Sequence, residues 1–218
     1  VNIVIKGVIF DFNGTLFFDT QLHNQAWDIF LERYSLNLDD EEKDRKIHGK
    51  NNADILANIF KKEFSSDEVQ RLIIEKESIY QSLCLKQEMN LAPGAVEFFK
   101  YLQSKDIPFT IATASDLFNV EFYFKHLNLG EYFNFDKVVY NDGTMKSKPN
   151  PEIFVRAMKV LNVKPENALI FEDSSSGIGA AENSKVGKII IVNSTNSEYS
   201  NYNHDVITSF NEIDKSIF

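Results

Sequence analysis

The segment Val8–Leu16 (V-I-F-D-F-N-G-T-L) constrains the fold more than any other part of this chain. Val8, Ile9 and Phe10, with Val4 and Ile5 before them, are strand formers in an apolar run, the pattern of a strand buried on both faces. Asp11 stands at the carboxyl end of that run, and Gly14 and Thr15 supply a tight turn. In an open α/β sheet, ligands bind in the crevice beyond the carboxyl ends of the strands. A carboxylate delivered there beside free backbone N–H groups can attack or coordinate a phosphate. Taken alone, the segment also fits a strand closing in an ordinary D-x-N-G turn.

Three further stretches repeat the pattern. Phe109–Ser115 (F-T-I-A-T-A-S) is a second apolar run, ending in Thr113, Ala114 and Ser115. Lys148 lies in S-K-P-N-P-E-I-F, where Pro149 and Pro151 hold an extended entry into a helix starting near Glu152. Ala168–Phe171 is a third buried strand, followed by Glu172, Asp173 and Ser174 and then by the small-residue helix S-S-S-G-I-G-A-A. By themselves Glu172 and Asp173 fit the acidic first turn of a capped helix. Each polar group follows a strand or opens a helix, so one parallel sheet would gather them on one edge.

Between Asp19 and about Met89 the alternation stops and only helical periodicity remains. Leu22, Ala26, Ile29, Phe30 and Tyr34 share one face, and Ile55, Leu56, Ile59 and Phe60 share another. A third helix begins after Ser65, with Glu68 completing a capping box. A helical insertion of this size needs its own small core, and it reads as a lid hinged near Phe17–Thr20 and Asn90–Pro93. The expected division is therefore a core of residues 1–17 and 91–218 and a cap of residues 18–90. Alternation resumes through helices near Ala95–Gln103, Leu117–Leu127 and Glu152–Leu161 and a strand at Lys188–Val192. A weak strand candidate, Val206–Phe210, lies in the polar tail.

The ordered set of motifs resembles the haloacid dehalogenase superfamily, most closely its β-phosphoglucomutase-like phosphatase branch. The likeness extends into the first helix, where F-D-T-Q-L-H-N-Q-A-W is similar to that branch's D-T/S-x-x-x-H-x-x-A-W. It implies a doubly wound, Rossmann-like parallel sheet core with an inserted helical cap. It also implies hydrolysis of a small phosphorylated metabolite through an aspartyl-phosphate on Asp11, with Thr113 and Lys148 holding the transferring group. Mg2+ would sit between Asp11, Glu172, Asp173 and the backbone carbonyl of Asn13. His23, otherwise a helix-surface histidine, would meet substrate or the closed lid, with Lys50, Asn52, Lys76, Ala114 and Ser115 as further substrate contacts.

Two departures from the family pattern matter. Asn13 stands where the general acid–base aspartate is usual, and an amide cannot donate or accept that proton. The loss penalises alkyl esters most, since an alkoxide leaves badly unprotonated, and it leaves open a phosphate-ligand binder with little turnover. The mutase's cationic positions are also reduced: Asn52 replaces an arginine and Asp116 a lysine, although Lys76 in K-E-S-I-Y matches. A monophosphate hydrolase is therefore expected over a phosphosugar mutase.

Bulk properties exclude other classes. The 218 residues suit one core domain with a small second one. A formal charge of −9 argues against a nucleic-acid backbone footprint. Cys84 is the single cysteine, so no intramolecular disulfide forms, which suits a reducing compartment. No apolar run approaches the roughly 20 residues of a membrane span. Asn2 and Lys6 interrupt the opening run, which lacks a signal-peptide pattern. The expectation is a cytoplasmic enzyme, a monomer or weak homodimer, with neither a nucleic-acid nor a membrane partner. The four histidines (His23, His48, His126, His204) have no metal-ligand spacing. Nineteen phenylalanines read as core filling.

Overall fold

A computed structural model describes residues 4–218; Asn2, read above as interrupting the opening run, lies outside the described residues. Six parallel strands form one sheet in the order β3-β2-β1-β4-β5-β6. They are β1 (Gly7–Phe10), β2 (Phe109–Asp116), β3 (Val139–Asn141), β4 (Ala168–Glu172), β5 (Lys188–Val192) and β6 (Asp205–Ile207). Chain order reverses direction at β1, so the crevice beyond its carboxyl end is the topological switch point. β1 pairs with β2 on one side and β4 on the other, with Phe10 opposite Ile111 and Phe171. That register brings Asp11, Thr113 and Glu172 to the same edge.

The strands follow from their composition. Every residue of β1 and β4 is buried, because helices cover both faces of a parallel sheet. Phe10 shows how the phenylalanines are used: its ring contacts Phe98, Phe99, Phe109, Phe133, Phe171 and Phe210. Val4 and Ile5 do not extend β1. Ile5 instead donates its N–H to the Ile217 carbonyl at 3.1 Å, tying the chain's start to its end. The weak candidate in the tail becomes β6, which starts one residue earlier and ends three residues sooner than expected, where Phe210 turns under the core and is buried.

Four helices lie between β1 and the rest of the sheet: α1 (Thr20–Glu32), α2 (Asp40–Lys46), α3 (Asn52–Phe60) and α4 (Ser66–Cys84). They share a cluster of Trp27, Phe30, Leu31, Leu38, Ile47, Ile55, Leu56, Leu72 and Ile73. The Ser65–Glu68 capping box is formed as expected. α2 was not expected, since its sequence D-E-E-K-D-R-K has no apolar face. It rests on a second capping box, Asp39 with Glu42, and on acids in its first turn and bases in its last, which match the helix dipole. The two connecting segments touch where Ala92 N–H donates to Leu16 O at 2.7 Å.

The remaining helices, α5 (Ala95–Ser104), α6 (Leu117–His126), α7 (Glu152–Leu161) and α8 (Ser175–Asn183), flank the sheet. No helix among the described residues is long and apolar enough to cross a membrane.

Candidate active site

β1 leads directly into Asp11, whose Oδ1 receives a 2.6 Å hydrogen bond from Lys148 Nζ. The same ammonium donates to Glu172 Oε1, also at 2.6 Å. Lys148 arrives from the P-N-P segment before α7, and Glu172 closes β4. All three side chains are buried. Burial alone would lower the Lys148 pKa, but the two carboxylates hold it above the ordinary lysine range, so it stays charged. Asp11 is pushed up to about 7, by burial first, with Lys148 opposing and Glu172 adding to the rise.

Asp173 completes the group. One oxygen from each of Asp11, Glu172 and Asp173 lies within 4.8 Å of the others. Burial, then Glu172 and Asp11, raise the Asp173 carboxyl well above its usual range. Two buried carboxylates and the half-buried Asp173, with one lysine, leave an excess of negative charge, and oxygen ligands of this kind suit a hard divalent cation. Gly14 makes room for the group: with φ +79° it takes a backbone conformation few side chains adopt, and a Cβ there would lie 2.1 Å from Asp173 Oδ2. Thr15 Oγ1 donates to Asp173 Oδ1 at 3.2 Å, and Tyr199 Oη donates to the Asp173 carbonyl at 2.6 Å. Glu172 Oε2 accepts the N–H groups of Asp173 and Ser174, both at 2.7 Å, which fixes the turn into α8.

The Asn13 side chain turns toward the cap. Its Nδ2 donates to Asp19 Oδ2 at 2.7 Å and to Tyr123 Oη at 2.8 Å, while its Oδ1 accepts from Ser115 Oγ at 2.8 Å. Thr113 Oγ1 stands 3.5 Å from the same Oδ1 and accepts the Ser115 N–H at 3.1 Å. Asp19 is fully buried and does not cap α1. It receives the Gly14 N–H at 2.9 Å and the Tyr80 hydroxyl instead.

His23 lies one turn beyond Asp19 on α1, stacked on Tyr80 with ring centroids 3.8 Å apart. Lys76 Nζ donates to His23 Nδ1 at 2.8 Å, so the proton of the neutral ring is assigned to Nε2, 3.4 Å from Asp19 Oδ2. Burial, with Lys76 adding to it, lowers the His23 pKa and keeps the ring neutral. Lys76 is paired with Glu77 at 3.0 Å. Burial by itself would raise Glu77, yet Lys76, His23 and the amides of Asn119 and Asn52 hold it below its usual range.

One cavity joins these groups. Asp11, Asn13, Thr113, Ala114, Ser115 and Asp173 line its sheet side, and His23, Lys50, Asn52, Lys76 and Glu77 line its cap side. The cap is closed over it. Ser176 Oγ donates to His48 O at 2.7 Å, and Asn51 N–H donates to Ser147 Oγ at 3.1 Å. Lys50 and Asn52, expected to meet substrate, are engaged within the protein as His23, Lys76 and Ser115 are. Lys50 Nζ donates to the Arg45 carbonyl, and Asn52 Nδ2 donates to Glu77 and Asp116. Lys148 and Glu172 do not line the cavity; they act on Asp11 from behind.

Sequence reasoning missed Asp19, Glu77, Tyr80, Asp116 and Tyr123 as members of the site. Asp19 and Tyr80 had a usable signal, each one helical turn from a residue already singled out (His23 and Lys76). Tyr123 had none, because only the packing of α6 brings it to Asn13.

Comparison with known proteins agrees with this geometry. A family model described as haloacid dehalogenase-like hydrolase matches residues 5–185. The phosphorylated carbohydrates phosphatase of Thermotoga maritima is 30% identical over 196 residues, 88% of each chain. A crystal structure of a HAD hydrolase, family IA, variant 3, from Entamoeba histolytica superposes with a TM-score of 0.86 at 35% identity, covering 98% of this chain and 97% of that one. β-Phosphoglucomutase from Clostridium difficile gives 0.81 at 25% identity, covering 98% and 95%. With Asp11, Lys148 and Asp173 at the switch point of the sheet and a family match across most of its length, the chain belongs to the haloacid dehalogenase-like hydrolases, in the β-phosphoglucomutase-like branch.

Proposed function

We propose that this protein is a magnesium-dependent phosphatase of a small phosphorylated metabolite, working through an aspartyl-phosphate on Asp11. The observation that carries this reading is the bridge of Lys148 between Asp11 and Glu172, with Asp173 beside them at the mouth of a capped cavity. The 30% identical Thermotoga relative, described as a phosphatase of phosphorylated carbohydrates, supports the same class.

Asp11, Asp173 and Glu172, with the Asn13 carbonyl, would hold the ion. Bound there, Mg2+ would neutralise the phosphoryl oxygens and let one anion approach another. In the first step an Asp11 oxygen attacks phosphorus as the ester oxygen leaves with its electron pair. In the second, water attacks the aspartyl-phosphate and releases phosphate, restoring the carboxylate. Lys148 holds the Asp11 carboxylate in place, and Thr113 and Ser115 offer hydroxyls to the phosphoryl oxygens. The cap of residues 18–90, closing on the core of residues 1–17 and 91–218, excludes bulk water and brings His23 and Lys76 to the cavity. We place the enzyme in the cytoplasm, where the buried thiol of Cys84 stays reduced.

Asn13 favours a qualified second reading, a phosphate-ligand binder with slow turnover. Its amide is hydrogen-bonded on both sides and offers the leaving group no acidic proton. A screen of phosphorylated metabolites with magnesium, on this chain and on Asn13→Asp, separates the two. Phosphate release from acetyl phosphate by the parent supports the phosphatase. Tight ligand binding without release from any substrate, in parent and variant alike, refutes it.

A further inference from the structure

The alkoxide leaving an alkyl phosphate needs a proton, and the Asn13 amide has none to give. The hydrogen bonds around Asn13 lead to another source. His23 Nδ1 faces Lys76 Nζ at 2.8 Å. An ammonium only donates, so Nδ1 accepts and the proton of the neutral ring sits on Nε2. That N–H finds no close acceptor among the described residues. It lies 3.2 Å from Asn13 Nδ2, itself a donor whose two N–H groups go to Asp19 and Tyr123. Asp19 Oδ2, 3.4 Å away, already accepts from Asn13 and from the Tyr80 hydroxyl.

Packing fixes both partners of the Nδ1 contact. The His23 ring is stacked on Tyr80, and the buried Lys76 is held by Glu77 at 3.0 Å and over the rings of Trp27 and Tyr80. Both residues line the cavity beside Asn13. Asn13 Oδ1 accepts from Ser115 Oγ at 2.8 Å and stands 3.5 Å from Thr113 Oγ1, the two hydroxyls that face the phosphoryl oxygens. Asn13 thus spans the gap from the phosphoryl site to His23, and an ester oxygen leaving toward the cap passes beside Nε2.

We infer that His23 supplies the leaving-group proton in place of residue 13, drawing on Lys76 through its other ring nitrogen. As the P–O bond breaks, the Nε2 proton passes to the ester oxygen while Lys76 passes a proton to Nδ1. The alcohol departs, leaving the ring protonated at Nδ1 and Lys76 as a neutral amine. Water attacking the aspartyl-phosphate then gives a proton to Nε2, and Nδ1 returns its proton to Lys76. The starting state is restored with alcohol and phosphate released. The relay moves two protons together where a carboxylic acid moves one, so alkyl turnover stays slow and Asn13→Asp still has a gain to make. The inference rests on the phosphatase reading.

The test replaces Lys76 with arginine, which keeps the positive charge but does not give up a proton, and His23 with alanine. With magnesium, kcat/KM is measured for glycerol 3-phosphate, whose alkoxide needs a proton, and for p-nitrophenyl phosphate, whose phenolate leaves unaided. The ratio of the first to the second should fall about tenfold or more in each variant. Added imidazole should restore it in His23→Ala and not in Lys76→Arg. A ratio equal to the parent's in both variants means that the residues are only structural and overturns the inference. A parent that hydrolyses p-nitrophenyl phosphate but no glycerol 3-phosphate overturns the relay and leaves the phosphatase standing. A parent that hydrolyses neither, nor acetyl phosphate, removes both. NMR of the ring nitrogens in the parent decides the matter even if the variants fail to fold: His23 should carry its proton on Nε2, and a ring protonated at Nδ1 overturns the relay.

Discussion

Replacing Asn13 with aspartate turns a hydrogen-bond donor into a candidate acid at a site that dictates its protonation. Asn13 Nδ2 lies 2.7 Å from Asp19 Oδ2. A carboxylate oxygen at that distance would repel Asp19 by about 6 kcal/mol at an effective dielectric of about 20. At about 1.36 kcal/mol per pKa unit this is a rise of about four units, from about 3.9 to about 8. The new carboxyl is therefore protonated at pH 7 and donates to Asp19 as the amide does now, with the Tyr123 hydroxyl turned to donate instead. A neutral acid so placed can protonate a leaving alkoxide. Alkyl phosphates should gain about 10²–10⁴-fold in kcat/KM, about 3–5 kcal/mol of barrier. Acetyl phosphate and p-nitrophenyl phosphate, whose leaving groups need no proton, should change little, so the dependence on leaving-group pKa flattens.

The same shift has a stability signature. A carboxyl whose folded pKa is raised favours folding most below its unfolded pKa and loses that contribution as pH rises through the folded value. The Tm of Asn13→Asp should therefore fall relative to the parent between pH 4 and pH 8, and Asn13 cannot contribute to that difference because it does not titrate. Asn13 precedes Gly14, a pair prone to deamidation, although the Gly14 N–H is engaged by Phe17 O at 2.7 Å and Asp19 Oδ1 at 2.9 Å. Intact mass on fresh protein keeps parent and variant distinct. A parent that already hydrolyses alkyl phosphates as fast as Asn13→Asp refutes the reasoning, because the proton must then come from another group.

Three further outcomes are expected. Magnesium should raise the parent Tm but not that of Asp173→Ala, and the gain should be larger at pH 8 than at pH 6, since a proton competes for Asp11 as pH falls through about 7; thermal shift with and without the ion reads both. Lys148→Met should cost about 3–5 kcal/mol at pH 8 by leaving Asp11 and Glu172 buried without their cation, and less at pH 6, where Asp11 takes up a proton; denaturant titration at the two pH values checks the direction. Gly49→Ala should hold the cap open, because φ +72° disfavours a side chain and the new Cβ would lie 2.3 Å from Ser176 Oγ and 2.5 Å from Ser174 Oγ. Solution scattering should then show a larger radius than the parent, and a radius equal to the parent's would mean that the latch is not at Gly49.

Much of the core was readable because it obeys local rules. Buried parallel strands are short apolar runs, and the polar residues ending them stand where ligands bind, so Asp11, Thr113, Glu172 and Asp173 could be singled out by position alone. Lys148 was marked by its flanking prolines and the Ser65 helix by its capping box. Two elements lacked such marks. β3 is three residues on a sheet edge, too short for a period, and α2 is charged on every face and held by its ends.

The placement of polar residues at the switch point follows from the sequence itself, since a strand's end and a turn's glycine are decided within a few residues. The partnerships in the cavity do not. Tyr123 meets Asn13 across 110 residues of chain, and Tyr80 meets Asp19 across 61, only because α6 and α4 pack against the end of β1. Asn52, at the start of α3, likewise reaches Asp116 at the end of β2 across 64 residues. Hydrogen bonds and ion pairs act over about 3–4 Å. Whether a polar residue is a ligand contact, a neutral ring or one partner of a buried pair therefore depends on what tertiary packing sets beside it.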